Sequence, residues 1–222
     1  MLVRNWMTSR VLSVRPDTPL LEAGKLMRDN RIRRLPVVNK KNGVIGIISD
    51  RDVRDAAPSK ATTLDMYEQH YLLAEIRARD VMTPDPITVM GTETVEKAAM
   101  TMMDNNIGGL PVVGEGNALV GIITGHDVLK ALIGITGVRN GGIQISVEIP
   151  NRKGSLRPVF DLMSSFGARI LSILSANADE NIRQVFLRIR DLDNREDEAA
   201  LIEAVRRQAR LLYWTRNEKS IF

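Results

Sequence analysis

A displacement of 75 residues, 121 − 46, lays Gly46-Ile47-Ile48-Ser49-Asp50-Arg51-Asp52 on Gly121-Ile122-Ile123-Thr124-Gly125-His126-Asp127. The same displacement pairs Met7-Thr8 with Met82-Thr83, Leu35-Pro36-Val37-Val38 with Leu110-Pro111-Val112-Val113, and Asn42 with Asn117. No gap is needed, and from Met7–Val53 against Met82–Val128, 18 of 47 aligned positions are identical. Shared composition does not yield such agreement, so the first two-thirds of the chain is one unit written twice.

Each copy reads as a short strand, a helix, two strands and a helix. In the first, an apolar-polar pattern predicts a strand around Val11 to Val14. Thr18 is a candidate N-cap with Pro19 at the first helical position. Leu20, Ala23, Leu26 and Met27 then recur at helical spacing. Leu35 to Val38 and Val44 to Ile48 are apolar strands around Lys41-Asn42-Gly43, a turn suited to positive φ. Ser49 caps a helix that ends before Pro58. The second copy predicts strands at Ile87 to Val89, Leu110 to Val113 and Leu119 to Ile123, with helices from Val95 to Asn105 and Thr124 to Ile133. A unit this small cannot bury its own sheet, whereas two packed face to face can. Between the copies, Leu64, Tyr67, Tyr71, Leu72 and Ile76 predict a linking helix over Thr63 to Arg77, a candidate bridge or dimer contact.

Beyond Gly134 the pattern changes. Ile143 to Ile149 alternates at period two, as in a half-buried strand. A loop from Pro150 to Leu156 leads into a helix carrying Val159, Phe160 and Met163, which Gly167 ends. Strands at Ala168 to Ser175 and Ile182 to Ile189, a helix from Glu196 to Gln208 and a strand at Leu211 to Trp214 complete a βαββαβ order, the split βαβ or ferredoxin-like plan. The fold class is therefore α+β, with residues 1–60 as the first repeat, 61–79 as the link, 80–136 as the second repeat and 142–216 as a separate domain.

The chain of 222 residues carries 31 Lys and Arg against 27 Asp and Glu, a net charge of +4 with the signs interspersed. That is not the profile of a nucleic-acid coat. With no cysteine and only two histidines, neither disulfides nor a thiolate or zinc motif are available. Met1 to Arg15 lacks the apolar region of a secretory signal, and no run of about 18 apolar residues occurs, so a soluble cytoplasmic protein without membrane contact is expected.

The repeated Gly-x-x-Ser/Thr-x-x-Asp has a purely structural reading, in which Ser49 and Thr124 are N-caps and Asp52 and Asp127 are first-turn acids favoured by the helix dipole. It also has a chemical one. An Asp at that spacing can accept from both hydroxyls of a ribose, the cap hydroxyl and helix start can meet a phosphate, and the preceding Arg51 or His126 can add charge.

These residues, after the x-x-Leu-Pro-Val-Val strand, resemble the signature of a tandem pair of CBS domains over Met1 to about Gly134. The resemblance implies an adenosine ligand such as AMP, ADP, ATP or S-adenosylmethionine between the repeats, with no required cofactor. It gives ribose to Asp52 and Asp127, ribose or phosphate to Ser49 and Thr124, and phosphate to Arg51 and His126. Adenine would lie near Ile32, Arg33 and Pro36, and near Ile107, Gly108 and Pro111, with Thr8, Ser13, Thr83 or Thr88 contributing at the entering strands. Which copy's Asp faces which adenine strand stays open, and the family also contains pairs that bind nothing. Because Arg33, Arg34 and Arg51 become Gly108, Gly109 and His126, two unequal sites are expected.

Ile143 to Trp214 resembles an ACT domain, whose first loop has the form Asp-x-x-Gly-x-Leu. Here Asn151-Arg152-Lys153-Gly154-Ser155-Leu156 stands in that place, with Asn151 for the usual acid. The resemblance implies dimerisation and an amino-acid site at Asn151, Gly154, Ser155 and Leu156, two alternatives left open. A CBS pair followed by an ACT unit resembles AcuB-type acetoin-utilisation regulatory proteins. A homodimeric regulator of an unknown target enzyme is implied, and the rival is a ligand-free module that holds such a partner.

Other motifs are read blandly. Gly114-Glu115-Gly116 precedes a strand and is a hairpin turn. Met100, Met102 and Met103 are packing residues. His70 has no ligand partner at helical spacing. Arg206, Arg207 and Arg210 share their segment with acids and form a solvated face. No nucleophile-base pair, metal cluster or phosphate-binding P-loop points to an enzyme.

Overall fold

The computed structural model describes residues 1–56, 75–192, 194–216 and 219–221. The linking helix expected over Thr63 to Arg77 lies outside these residues except at its end, and His70 lies outside them altogether. The chain divides into two compact units, Met1–Ala131 and Leu132–Phe222.

In the first unit, helix α1 spans Leu20–Asp29, strand β1 Arg34–Val38, strand β2 Val44–Ser49 and helix α2 Asp50–Asp55. Helix α3 (Ala78–Val81) and strands β3 (Thr83–Pro84) and β4 (Val89–Met90) follow. Helix α4 (Val95–Asp104), strands β5 (Gly109–Val113) and β6 (Leu119–Thr124) and helix α5 (Gly125–Thr136) complete the second copy. The strand expected over Val11 to Val14 shrinks to one parallel bridge between Val14 and Val37. Helix α1 begins one residue later than expected, because Pro19 is extended at ψ 137 and the Thr18 hydroxyl instead accepts from the Arg15 amide at 3.0 Å. In the second copy the residue aligned with Pro19 is Thr94, an N-cap that accepts from the Lys97 amide. Of the three methionines on α4 only Met102 is buried, while Met100 and Met103 are exposed, because they lie off the stripe that faces the core.

The two copies exchange their entering segments. Thr8 bridges Ile122 of β6, and reciprocally Thr83 of β3 pairs with Ile47 of β2. Val3 is fully buried among Leu110, Val112 and Ile123 of the second copy, while Ala78 is fully buried among Leu35, Val37 and Ile48 of the first. The signature glycines follow from this exchange. A Cβ at Gly46 would overlap the Met82 thioether, and one at Gly121 would overlap that of Met7, so any larger residue would force the crossing methionine to shift. The turns cross as well. Asn42 and Asn117 hold φ of 64° and 63°, which asparagine tolerates better than most residues. Their amides donate to Leu119 O at 3.1 Å and Val44 O at 2.8 Å.

The second unit contains β7 (Ile143–Pro150), α6 (Arg157–Ser165), β8 (Ile170–Asn177), β9 (Ile182–Ile189), α7 (Arg195–Gln208), β10 (Arg210–Arg216) and β11 (Lys219–Ile221). Its antiparallel sheet has the order β11-β10-β7-β9-β8, which is the ferredoxin-like arrangement plus a hairpin strand that the sequence reading had not included. Ile143, Ile145, Val147, Leu187 and Ile189 pack with Val159, Met163, Leu201 and Val205 of the two helices. Trp214 is buried with its indole N–H donating to Glu198 at 2.8 Å, and Arg216 pairs with the same carboxylate. Arg206 pairs with Glu203 and Arg210 with Glu148, which keeps that basic run on a charge-balanced face.

Candidate functional site

The repeated strand-to-helix turn is built by its own polar residues. Ser49 caps α2 by accepting from the Asp52 amide at 3.3 Å, and Asp52 Oδ2 accepts from the Ser49 amide at 2.6 Å and hydroxyl at 2.8 Å. This is a capping box with Asp in the returning position. In the second copy Asp127 Oδ2 accepts from the Thr124 amide at 3.0 Å and hydroxyl at 2.8 Å. Each Asp therefore does structural work at its turn. Asp127 is 4% exposed, and among the described residues its other oxygen meets only Lys130 Nζ, at 3.4 Å. That oxygen retains capacity for further donors.

A cleft of about 740 Å³ opens beside Asp127, within the usual range for small-molecule sites. One wall is Thr8 and residues 10–12 and 30–34 of the first copy; the other is Ile122, residues 124–127 and Lys130 of the second, with Gly108 also in the lining. The exchange of entering segments thus settles which elements meet: the first copy's Ile32 and Arg33 face the second copy's Thr124, His126 and Asp127. Thr8 and Gly108 also line the cleft. Ser49, Arg51, Asp52 and Thr83 belong to the position related by the repeat, where β3 crosses β2. Pro36 and Pro111 are buried within β1 and β5, and Ile107 packs on the second copy's core. Ser13 and Thr88 stand one residue before the Val14 bridge and β4, outside the cleft lining.

Three lining cations had not been singled out from the sequence: Arg10, Arg31 and Lys130. The only signal for them was Lys130, one turn beyond Asp127, since nothing in the pattern marks Arg10 or Arg31. Arg34 lies half-buried, and a Cβ at Gly108 would overlap its guanidinium. Burial pushes the Arg34 pKa down, the Asp50 carboxylate opposes this, and Arg33 adds to it. Asp50 itself sits below the usual carboxylate value: modest desolvation pushes it up, but the Arg54 hydrogen bond and the charges of Arg54, Arg33 and Arg34 outweigh that.

In the second unit, the Asn151 side chain donates to Glu180 O at 3.2 Å and its amide to Asn181 O at 2.7 Å. Ser155 Oγ donates to Arg152 O at 2.9 Å, and Gly154 has φ of 81°. The polar groups of this loop are engaged with the β8–β9 turn and with the loop itself, and Leu156 packs on the core. No group of His, Cys, Asp and Glu among the described residues is arranged to hold a metal, and no helix among them is long and apolar enough to cross a membrane.

Two interlocked copies, each with a strand-to-helix turn built on Ser or Thr and Asp, enclose a cleft and define a tandem-repeat module. The CBS domain family matches residues 3–59 and 78–134, offset by the same 75, and the chain belongs to that family. Similar solved structures include CBSX2 in complex with AMP, at 28% identity and TM-score 0.51, covering 61% of this chain and 98% of that one. The CBS pair of MJ0100 in complex with 5′-methylthioadenosine and S-adenosyl-L-methionine gives 26%, 0.51, 60% and 97%. A putative acetoin utilisation protein, AcuB, from Vibrio cholerae gives 28%, 0.52, 63% and 96%. Among curated relatives, the uncharacterised MJ1225 of Methanocaldococcus jannaschii is 34% identical over 129 residues, taking in 56% of this chain and 46% of its own. The chain thus spans about half the length of that relative.

Proposed function

We propose that this protein is a cytoplasmic regulatory sensor that holds an adenosine ligand, from the set AMP, ADP, ATP and S-adenosylmethionine, in the cleft beside Asp127. The observation that carries the reading is the meeting, in one cleft of about 740 Å³, of a buried carboxylate whose Oδ1 has a single long contact, to Lys130, with a cluster of cations contributed by the opposite repeat. Asp127 accepts from the ribose hydroxyls, Thr124 and His126 lie toward the phosphates, and adenine rests between Ile32 and backbone near Arg33. Ser49, Arg51 and Asp52, with Thr83 and Ile107, form the related second position.

Because the two walls belong to different repeats, a ligand that touches both favours one closure of the pair over another. That differential affinity is all a regulatory ligand needs to change what the protein presents to its target. No catalytic step is assigned, and the chain is read as a regulator.

The C-terminal unit is read as an ACT-type domain that pairs two chains. Its βαββαβ order supports this, as does β8, an eight-residue edge strand with Ile173 39% exposed, since such an edge invites pairing with another strand. The internal bonds of Asn151 and Ser155 favour pairing over amino-acid capture at that loop. A monodisperse monomer by light scattering, unchanged by Ile173→Lys, would count against it.

A second reading has its own support. Helix α5 exposes Leu129 and Leu132, and α4 exposes Met100 and Met103, surfaces suited to holding a partner enzyme without any ligand. Thermal-shift titration with the four ligands separates the two readings. A ligand at 100 times its Kd adds about 2.7 kcal/mol, so the sensor reading expects a rise in Tm lost in Asp127→Ala. A Tm indifferent to all four, in nucleotide-free protein, favours the partner-holding module.

A further inference from the structure

We propose that the two ligand positions are sorted by charge: the Asp127 cleft selects adenosine ligands that carry phosphates, and the Asp52 position admits none. This rests on the nucleotide reading above and adds the ligand class at each position. Arg10, Arg31, Arg33, Arg34 and Lys130 line the Asp127 cleft against a single carboxylate, a net of +4 with His126 neutral. Moving every lining residue by the repeat offset of 75 gives Asp85 for Arg10, Asp55 for Lys130, Asp50 for Gly125, and Asn106, Gly108 and Gly109 for the other arginines. By that correspondence Asp50, Asp52, Asp55 and Asp85 are set against Arg51 and Arg33, a net of −2, or −1 once Arg54, paired with Asp50 at 2.8 Å, is counted.

Packing explains only part of this inversion. A Cβ at Gly108 would overlap the Arg34 guanidinium, and one at Gly109 would lie 3.2 Å from Arg34 Cδ. Two arginines therefore cannot both sit where the copies meet. The glycine clearances that exclude a second arginine do not involve Arg10 or Lys130, whose counterparts are Asp85 and Asp55. The backbone points the same way. Arg31 and Asn106 occupy the same left-handed turn at φ of 53° and 52°. Asparagine suits that conformation and arginine does not, so the first copy keeps a cation at the cleft against its backbone preference, as happens where a residue serves a site.

The test is calorimetric titration of nucleotide-free full-length protein with ATP, AMP and adenosine, at low and physiological ionic strength. One ATP per chain is expected, bound at least about tenfold tighter than adenosine, with the preference narrowing as salt rises. Asp127→Ala should weaken ATP binding about 30- to 100-fold and Asp52→Ala leave it within twofold. Arg31→Asn should reduce the ATP-to-adenosine ratio several-fold, and Lys130→Asp should do so more strongly. Equal affinity for ATP and adenosine, two ATP per chain, or ATP binding lost in Asp52→Ala alone would overturn the charge sorting while leaving the nucleotide reading. If adenosine, AMP and ATP all fail to bind, both fall.

Discussion

The two repeats share a backbone down to their unusual dihedrals, yet differ at the residues that edge their clefts. Asn42 and Asn117 repeat the same left-handed turn and the same amide reach into the opposite copy. Gly46 and Gly121 repeat the same clearance for a crossing methionine. Around the turns that carry Asp52 and Asp127, by contrast, the charge changes sign. Positions that build the interlocked pair are held the same because both copies must satisfy one set of contacts. The cleft edges face solvent or ligand, so each copy can carry different chemistry there.

The sharpest way to break this comparison is to remove one Asp at a time. Asp127→Ala is expected to weaken ATP binding about 30- to 100-fold, the usual cost of losing a hydrogen-bonded charged partner, whereas Asp52→Ala leaves it within twofold by calorimetry. Both should lower unfolding free energy by about 1 kcal/mol in the absence of ligand, because each carboxylate also supports its helix start. Unequal stability losses with equal binding losses would invert the picture.

Next in size are the interlocking residues, where the two copies should behave alike. Gly46→Ala and Gly121→Ala each add a carbon where a thioether lies and should cost about 1–3 kcal/mol by denaturant unfolding. Val3→Ala should cost roughly 1–2 kcal/mol. It should lower hydrogen-exchange protection around Leu110, Val112 and Ile123 before that around Leu35, Val37 and Ile48, because Val3 is buried in the second copy's core. Loss confined to the first copy would refute the exchange.

Smaller still is Arg31→Asn, which relieves a left-handed arginine and should raise stability by up to about 1 kcal/mol while weakening ATP. The smallest effect is expected from Asp50, which has no acidic counterpart at Gly125. Its pKa is lowered in the folded protein, so its contribution is present above the unfolded value and is lost as pH falls through the folded one, below about pH 4. With the Asp50–Arg54 pair largely exposed, Asp50→Gly should remove only a few tenths of a kcal/mol of this acid sensitivity.

Much of this was legible in the chain. The gapless 75-residue offset established the duplication, the Leu-Pro-Val-Val strand before Gly-x-x-Ser/Thr-x-x-Asp carried the resemblance to the family, and the Ser49-x-x-Asp52 spacing foretold its capping box. Period-two alternation over Ile143 to Ile149 located β7, and the βαββαβ order announced the ferredoxin-like unit. These features were readable because they depend on residues close in sequence, where helix, strand and turn preferences act. The reading placed Thr18 as a cap because the hydroxyl suits that role, and missed that Pro19 stays extended and sends it to Arg15. Nor did it anticipate that Met100 and Met103 would face outward.

What the sequence by itself determined, then, is the number of copies, the order of their elements and the chemistry each turn can offer. Only the tertiary structure decided which copy's turn meets which copy's strand. Val3 and Ala78, or Thr8 and Thr83, carry the same local signals whether their segments fold back on their own copy or cross to the other. The choice is made by contacts between residues more than 70 positions apart, such as Thr8 with Ile122 and Asn42 with Leu119. That crossing brings Arg10, Arg31 and Arg33 to the rim of a cleft whose carboxylate, Asp127, belongs to the other repeat.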